Sequence, residues 1–244
     1  MKMVTLTIDG REVQAEEGTT ILDMATANNI YIPSLCAHEG VMPYGACRLC
    51  LVEVTTEKGR QKLVASCLYP AEEGLVVTTN SERIANNRKV LMELLLARCP
   101  DSEAIQDLAK QSGVTETPFK AEEDNKKCIL CALCVRTCQE NVGVAAISLV
   151  NRGVDRQMAI PFYNNSDACI GCDSCAYICP TGAITVEDVG DTRIITMPTG
   201  KMKFKLKKCK TCGNYWAPEK QLAYIVKLAN LGPEAFDNCP NCRD

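Results

Sequence analysis

The chain has 244 residues, a net charge of −3 and a pI near 5.4, so no global basic field invites nucleic acid. Hydrophobic residues make up 46% of it but aromatic residues only 5%, and small modules short of aromatic anchors need staples. Seventeen cysteines supply them. The opening MKMVTLTIDGREVQAEEG reaches Asp9, Arg11 and Glu12 before an apolar run of signal-peptide length develops. No run of about 18 apolar residues follows, so a cytoplasmic location without a direct membrane span is expected. Clustered cysteines in that reducing setting bind metal rather than pair as disulfides.

Residues 3–8, MVTLTI, alternate in the manner of a strand, and Asp9-Gly10 is a hairpin turn before REVQA. GTTILDMATANNI reads as a short helix capped by Thr19 or Thr20, with Ile21, Leu22 and Ala25 on its buried side. A loop with Cys36, Cys47 and Cys50 follows. CLVEVTT and QKLVASC read as strands joined through EKGR, and LVVTT adds another. This succession predicts a β-grasp domain over residues 1–80. Ser81 is expected to cap a helix through Ala97, with Ile84, Val90, Leu91, Leu94 and Leu95 as its apolar contacts. A second helix over about 102–112 stops at Gly113, and GVTETPFKAEEDN reads as a linker, so residues 81–124 form a helical connector. Residues 125–190 carry eight cysteines in two similar halves, an internal repeat. Residues 200–244 hold two cysteine pairs around a helix, APEKQLAYIVKLANL, with Pro218 in its first turn and Gly232 just past its end. The fold class expected is α+β.

The central repeat is the strongest signal. Cys128, Cys131, Cys134 and Cys138 follow C-x2-C-x2-C-x3-C, and Cys169, Cys172, Cys175 and Cys179 repeat it with Pro180 closing. Three thiolates at this spacing wrap three corners of an iron–sulfur cube, and the short loop leaves the fourth to the other half. Cys128, Cys131, Cys134 and Cys179 are therefore assigned to one 4Fe–4S cluster, and Cys138, Cys169, Cys172 and Cys175 to a second. The N-terminal group, Cys36-x10-Cys47-x2-Cys50-x16-Cys67, puts three ligands on one loop and one beyond it, as a 2Fe–2S cluster requires. Structural zinc is the alternative there, but it usually pairs two C-x2-C knuckles and this group has one. Gly45 is expected to let backbone approach the cluster without a Cβ clash. Cys209-x2-Cys212 and Cys239-x2-Cys242 do form two knuckles, a four-sulfur site suited to Zn2+ or to a single iron, within a zinc-ribbon-like module.

PSLCAHEGVMPYGACRLCLVEV resembles the two-iron domain at the N-terminus of the large iron–sulfur subunit of complex I. It is equally similar to the N-termini of iron-only hydrogenases and to the small diaphorase subunit of NAD-linked hydrogenases. CILCALCVRTCQENVGVAAISLVNRG and CIGCDSCAYICPTGAI resemble the two-cluster domain of the hydrogenases and diaphorase subunits. Ala132 stands where many such relatives carry glycine. The resemblance, over about residues 1–190, implies an iron–sulfur electron-transfer subunit of a multisubunit NAD(P)-linked oxidoreductase. Hydrogenase, formate dehydrogenase and transhydrogenase complexes are of this kind, and some bifurcate electrons. Such relatives also place a further four-iron cluster, held by one histidine and three cysteines, between the two domains. Here LLLARCPDSEAIQDLAKQSGV has no histidine and only Cys99. Cys99 is therefore read as a vestige or a buried small hydrophobe. A reactive role would need an electropositive, exposed setting, of which Arg98 is the one hint.

Other residues carry weaker signals. His38, the one histidine, reads as a surface residue or a partner to a ligand rather than a ligand. KMKFKLKKCK holds six lysines in ten residues, alternating with Met202, Phe204 and Leu206. A strand with a solvated lysine face explains it, and docking of an acidic ferredoxin or partner subunit is the sharper alternative. Tyr177 and Ile178 are expected to exclude water from the second cluster loop, and Trp216 to pack beside the terminal metal. No G-x-G-x-x-G fingerprint occurs, so the flavin and NAD(P) chemistry is expected on a partner subunit. The competing expectations are a freestanding polyferredoxin and an iron–sulfur redox sensor.

Overall fold

Strand β1 (Met3–Ile8) pairs antiparallel with β2 (Arg11–Glu16), from Met3↔Glu16 to Ile8↔Arg11. Asp9 and Gly10 both take positive φ, 48° and 79°, which a two-residue type I′ turn demands. The computed structural model describes residues 2–56, 58–121, 127–163 and 167–243. They divide into two units, Met1–Cys131 and Ala132–Asp244.

In the first unit, helix α1 (Ile21–Ala27) starts where Thr20 accepts a hydrogen bond from the Asp23 N–H at 3.1 Å. Its buried residues are Ile21, Leu22, Met24 and Ala25. Strands β3 (Leu51–Thr55), β4 (Gln61–Ala65) and β5 (Val76–Thr78) complete a five-stranded sheet of order β2-β1-β5-β3-β4. Only β1 and β5 run parallel. Asp9 of the hairpin turn accepts from both the N–H and the hydroxyl of Thr79, fixing the end of β5 against β1. Val4, Leu6, Ile8, Val52, Val54 and Val77 fill the core with α1, and Cys50 and Cys67 belong to the same apolar cluster.

Helix α2 (Glu82–Arg98) begins at Ser81, whose hydroxyl accepts from the Ile84 N–H at 3.2 Å. Its buried residues are Ile84, Met92 and Ala97, whereas Val90 and Leu94 are 48% and 45% exposed. This corrects the expected apolar face. At 100° per residue the buried line runs through Ile84, Arg88 and Met92, and Val90 and Leu94 form a second line on the far side. Helix α3 (Glu103–Gln111) packs on α2 through Ile105 and Ala109, and Gly113 leaves it at φ 71°. Part of the linker, residues 122–126, lies outside the described residues.

In the second unit, α4 (Leu133–Arg136) continues into a π turn, Thr137–Asn141, and packs against α5 (Ser174–Tyr177). The repeat seen in the sequence extends to the backbone. Ala132 and Asp173, each just before its short helix, both have φ of 61°. This is the left-handed region that favours glycine, so each position holds a residue where glycine would sit with less strain. Strands β6 (Ser148–Val150) and β7 (Gln157–Ala159) form a hairpin between the halves. Strands β8 (Thr185–Val189), β9 (Thr192–Met197), β10 (Gly200–Lys208) and β11 (Tyr215–Pro218) form an antiparallel sheet of order β11-β10-β9-β8. Along β10, Met202, Phe204 and Leu206 are buried while Lys201, Lys203 and Lys205 are exposed. Helix α6 (Glu219–Ala229) follows directly, with Pro218 as its cap rather than in its first turn. Its left-handed terminator is Asn230, φ 49°, a role asparagine tolerates. Gly232 has an ordinary φ of −66° and instead opens a short 3₁₀ turn, Pro233–Phe236. Among the described residues no helix is long and apolar enough to cross a membrane.

Candidate metal centres

Cys36 and Cys47 lie in the loop between α1 and β3, Cys50 immediately precedes β3, and Cys67 follows β4; all four are buried. The Cys47 N–H donates to Cys36 Sγ and the Leu35 N–H to Cys47 Sγ, both at 3.4 Å. The thiols also meet one another. Hydrogen bonds from the Cys47 and Cys67 side chains lower the Cys36 pKa to about 2. One from Cys67 lowers Cys50 to about 6. Cys47 and Cys67 are pushed up as the proton-bearing partners. The chain thus folds four cysteines spread over 32 positions into one mutually contacting group.

Its support comes from a residue that no motif marks. Arg88 of α2 donates from Nε to the Leu49 carbonyl at 3.0 Å and from an Nη to the Leu51 carbonyl at 2.8 Å. These carbonyls bracket Cys50. Burial pulls the Arg88 pKa below its ordinary value. The available signal is its position, a charged residue four from Ile84 and four from Met92 on the buried line. His38 is exposed, and its Nδ1 accepts from the Gly40 N–H at 3.0 Å. Gly45 has φ of 69°, the left-handed region that favours glycine, and a Cβ there would meet the outer end of the exposed Leu68 side chain rather than a cysteine.

In the central repeat, Cys128 and Cys131 end the first unit, while Cys134 stands in α4 and Cys179 follows α5. The Ala183 N–H donates to Cys179 Sγ at 3.3 Å. Arg98, at the end of α2, donates from Nε to the Cys128 carbonyl at 2.9 Å. The other four thiols converge within the second unit. Cys138, Cys169, Cys172 and Cys175 all line one cavity, whose remaining wall includes Ile147, Ile170, Ile195 and Met197. The Ala146 N–H donates to Cys138 Sγ at 3.2 Å. Burial pushes the Cys138 and Cys169 thiols up, and Cys175 to about 12.

Arg193 of β9 braces the cysteine loop of this site from the sheet side. Its guanidinium grips both oxygens of Asp188 at 2.8 and 3.0 Å and reaches Asp173 at 3.1 Å and the Gly171 carbonyl at 3.4 Å. It thereby holds the left-handed turn at Asp173. Asp188 keeps the Arg193 pKa above its ordinary value, and burial raises that of Asp173. Arg193 also announces itself by parity, sharing the inward face of TRIITM with Ile195 and Met197. Ile178 is buried, but Tyr177 is 87% exposed and shields nothing. It ends the four-residue α5 on the side turned from the core, and the apolar wall comes from β9 instead.

The Sγ atoms of Cys209, Cys212, Cys239 and Cys242 all lie within 4.8 Å of one another. Cys212 and Cys239 are 3.8 Å apart, and the Cys239 N–H donates to Cys209 Sγ at 3.3 Å. Backbone N–H groups, that of Cys212 foremost, lower the Cys209 pKa to about 6, while the Cys239 side chain raises Cys242 to about 12. Asp237 locks the two knuckles together through Lys207 at 2.8 Å and Lys210 at 2.6 Å. Trp216 packs against Phe236 at 6.3 Å with the Arg243 guanidinium over both rings. Cys99 closes α2, its N–H bonded to the Leu95 carbonyl, and is fully buried. It therefore lacks the exposed setting that a reactive role would need.

Residues 1–82 match the family described as 2Fe-2S iron-sulfur cluster binding domain, and residues 127–183 and 168–214 match the 4Fe-4S dicluster domain. The chain is therefore an iron–sulfur protein of at least two domain types. It is 35% identical over 214 residues to the NADP-reducing hydrogenase subunit HndD of Solidesulfovibrio fructosivorans, covering 75% of this chain and 36% of that protein. It is 33% identical over 207 residues to the mitochondrial NADH-ubiquinone oxidoreductase 78 kDa subunit of Neurospora crassa, covering 75% and 27%. A chain of the NAD+-reducing [NiFe]-hydrogenase, solved in the H2-reduced state, superposes with a TM-score of 0.63 at 31% identity. That match covers 73% of this chain and 85% of the other. The chain belongs to the family of iron–sulfur subunits related to these hydrogenases and NADH-ubiquinone oxidoreductases. It spans about a third or less of the curated relatives it matches.

Proposed function

We propose that this chain is the iron–sulfur electron-transfer subunit of a multisubunit, cytoplasmic NAD(P)-linked oxidoreductase, relaying electrons between a flavin subunit and a catalytic or ferredoxin-reactive partner. The observation that carries the reading is the cavity lined by Cys138, Cys169, Cys172 and Cys175. Four thiols in a wall otherwise apolar except for Asp173 and Ser174 fit a group bound by thiolates, and the N–H donated to Cys138 Sγ favours the charged form of that ligand. Bound there, an iron–sulfur cluster supplies one-electron transfer with little change of geometry.

The remaining assignments follow the same donor chemistry. Cys36, Cys47, Cys50 and Cys67 would hold a 2Fe–2S cluster in a β-grasp domain over residues 1–80, a reading supported by the parallel β1–β5 pair. The connector would be residues 81–124. Cys128, Cys131, Cys134 and Cys179 would hold the other 4Fe–4S cluster of the 125–190 domain, on the strength of their spacing. Cys209, Cys212, Cys239 and Cys242 would hold zinc in the 200–244 module. A tetrahedral site with metal–sulfur bonds of about 2.3 Å needs sulfurs about 3.8 Å apart, and the Cys212–Cys239 separation is 3.8 Å. Within these sites the chain's own residues exclude water, aim N–H groups at sulfur and hold the ligand loops in place.

Anaerobic purification from the native source tests the reading. It should yield an assembly containing a flavin-bearing chain, with visible absorption that dithionite bleaches. A 26.7 kDa monomer that binds no such chain would sink it.

A further inference from the structure

We propose that the solvent face of β10 is a docking surface for a small acidic one-electron carrier protein, which exchanges electrons with the centre held by Cys138, Cys169, Cys172 and Cys175. The proposal rests on reading those thiols as a cluster site. One electron is lost by one centre and gained by the other, and no bond or proton changes hands.

The two faces of β10 carry the argument. Its inward residues back the cysteine loop: the Phe204 ring lies so close to Gly171 that a Cβ there would fall 2.7 Å from it. Met202 pairs with Ile195, which lines the cavity. Its outward residues are Lys201, Lys203 and Lys205. Carrier and thiols would be separated by this one sheet, roughly 10 Å of packed protein. The Gly171 loop is thus backed by a strand that is lysine-rich on its other side.

Charge and spacing select the partner. Lys201 and Lys203 enter no ion pair among the described residues, and Lys205 is shared with Glu219 at 3.5 Å. Glu187 stands on the same face, paired with Ile194, which in turn pairs with Lys203. Alternate lysines on a strand are about 7 Å apart, too far for one phosphate to bridge but matched to an extended acidic surface. The chain's net charge of −3 opposes an acidic partner only weakly. At physiological ionic strength the Debye length of about 8 Å confines attraction and repulsion to the local row.

The test compares Lys201→Glu/Lys203→Glu with Lys89→Glu/Lys227→Glu, which makes the same change of net charge at exposed lysines off the row. The probe is a purified small ferredoxin of strongly negative charge. Readouts are its association rate with the holoprotein at low and physiological salt, carbodiimide cross-link positions, and reduction of the holoprotein by dithionite. The row variant should associate roughly tenfold or more slowly at low salt, lose most of its salt dependence and lose cross-links to β10. The control should behave as the unaltered protein, and dithionite reduction and iron content should be equal in all three. Equal effects of the two double variants, or a salt-insensitive unaltered protein, would overturn the proposal. So would row-dependent binding to phosphatidylserine vesicles without row-dependent binding to the ferredoxin. An unaltered holoprotein that dithionite cannot reduce would instead defeat the relay reading beneath it.

Discussion

Arg88→Met removes the guanidinium that brackets Cys50 while leaving a stem of similar length in the same packing. The side chain makes two hydrogen bonds, to Leu49 O at 3.0 Å and Leu51 O at 2.8 Å. Hydrogen bonds from a charged donor contribute about 1.5–3 kcal/mol each. Arg88 is half-buried, so water replaces part of that, and a total loss of about 2–3 kcal/mol is expected. The charge matters separately, because a cation beside a thiolate-bound centre favours its reduced, more negative form. Its removal should lower the two-iron midpoint potential by tens of millivolts, where about 59 mV is a tenfold change for one electron. Thermal loss of the two-iron absorption and an EPR-monitored redox titration measure the two effects. Arg88→Lys should restore most of the potential but only part of the stability, since an ammonium lacks the two-pronged geometry. Unchanged values in Arg88→Met, or equal shifts in the four-iron signals, would refute the argument.

Elemental analysis of anaerobically purified protein should give about ten irons and one zinc per chain; about eleven irons without zinc would make the terminal site an iron site. Cys138→Ala should abolish the EPR signal of the centre shared with Cys169, Cys172 and Cys175, and loss of the other four-iron signal would refute that pairing. Gly171→Ala should destabilise the second unit by about 2–4 kcal/mol, combining left-handed strain with overpacking against Phe204. Chemical denaturation measures it, and Phe204→Leu in the same chain should recover part of the loss. Cys99→Ala should cost about 0.5–2 kcal/mol and no iron, whereas Cys67→Ala should remove the two-iron signal; the reverse outcome in iron assays would overturn the ligand set.

What the sequence made legible were the features written in local periodicity. Asp9-Gly10 dictates its turn because few other residue pairs tolerate two positive φ values. Alternation in KMKFKLKK separates Met202, Phe204 and Leu206 from the lysines without reference to any neighbour. The departures were set by tertiary context. Val90 and Leu94 satisfy a helical period, but which of two apolar lines is covered depends on what packs there. Tyr177 lies between Cys175 and Cys179 in sequence and yet points to solvent. Asn230 takes the terminating conformation of α6 before the chain reaches Gly232. Arg88 and Arg193 were visible in principle, because each occupies a buried parity where an apolar residue would be ordinary. A charge at such a position has to be satisfied by something specific. For Arg88 that something is the backbone around Cys50; for Arg193 it is the carboxylates of Asp188 and Asp173, with the Gly171 carbonyl at longer range.

The same logic gives Cys99 its place. Arg88 and Arg98 lie ten residues apart on α2, about 15 Å along the axis at 1.5 Å per residue. One holds the carbonyls around Cys50 and the other the carbonyl of Cys128. A single rigid element therefore fixes two cysteine loops at a set separation within the first unit. For this to work, α2 must end firmly at Arg98, and Cys99 leaves the helix at φ −136° with its N–H still bonded to Leu95. The Ser102 N–H returns to the Cys99 carbonyl, and Ser102 begins α3. A side chain at this corner has to be small and apolar, since it is fully buried where the two helices meet. Cysteine meets that requirement, and the arginine beside it does the positioning.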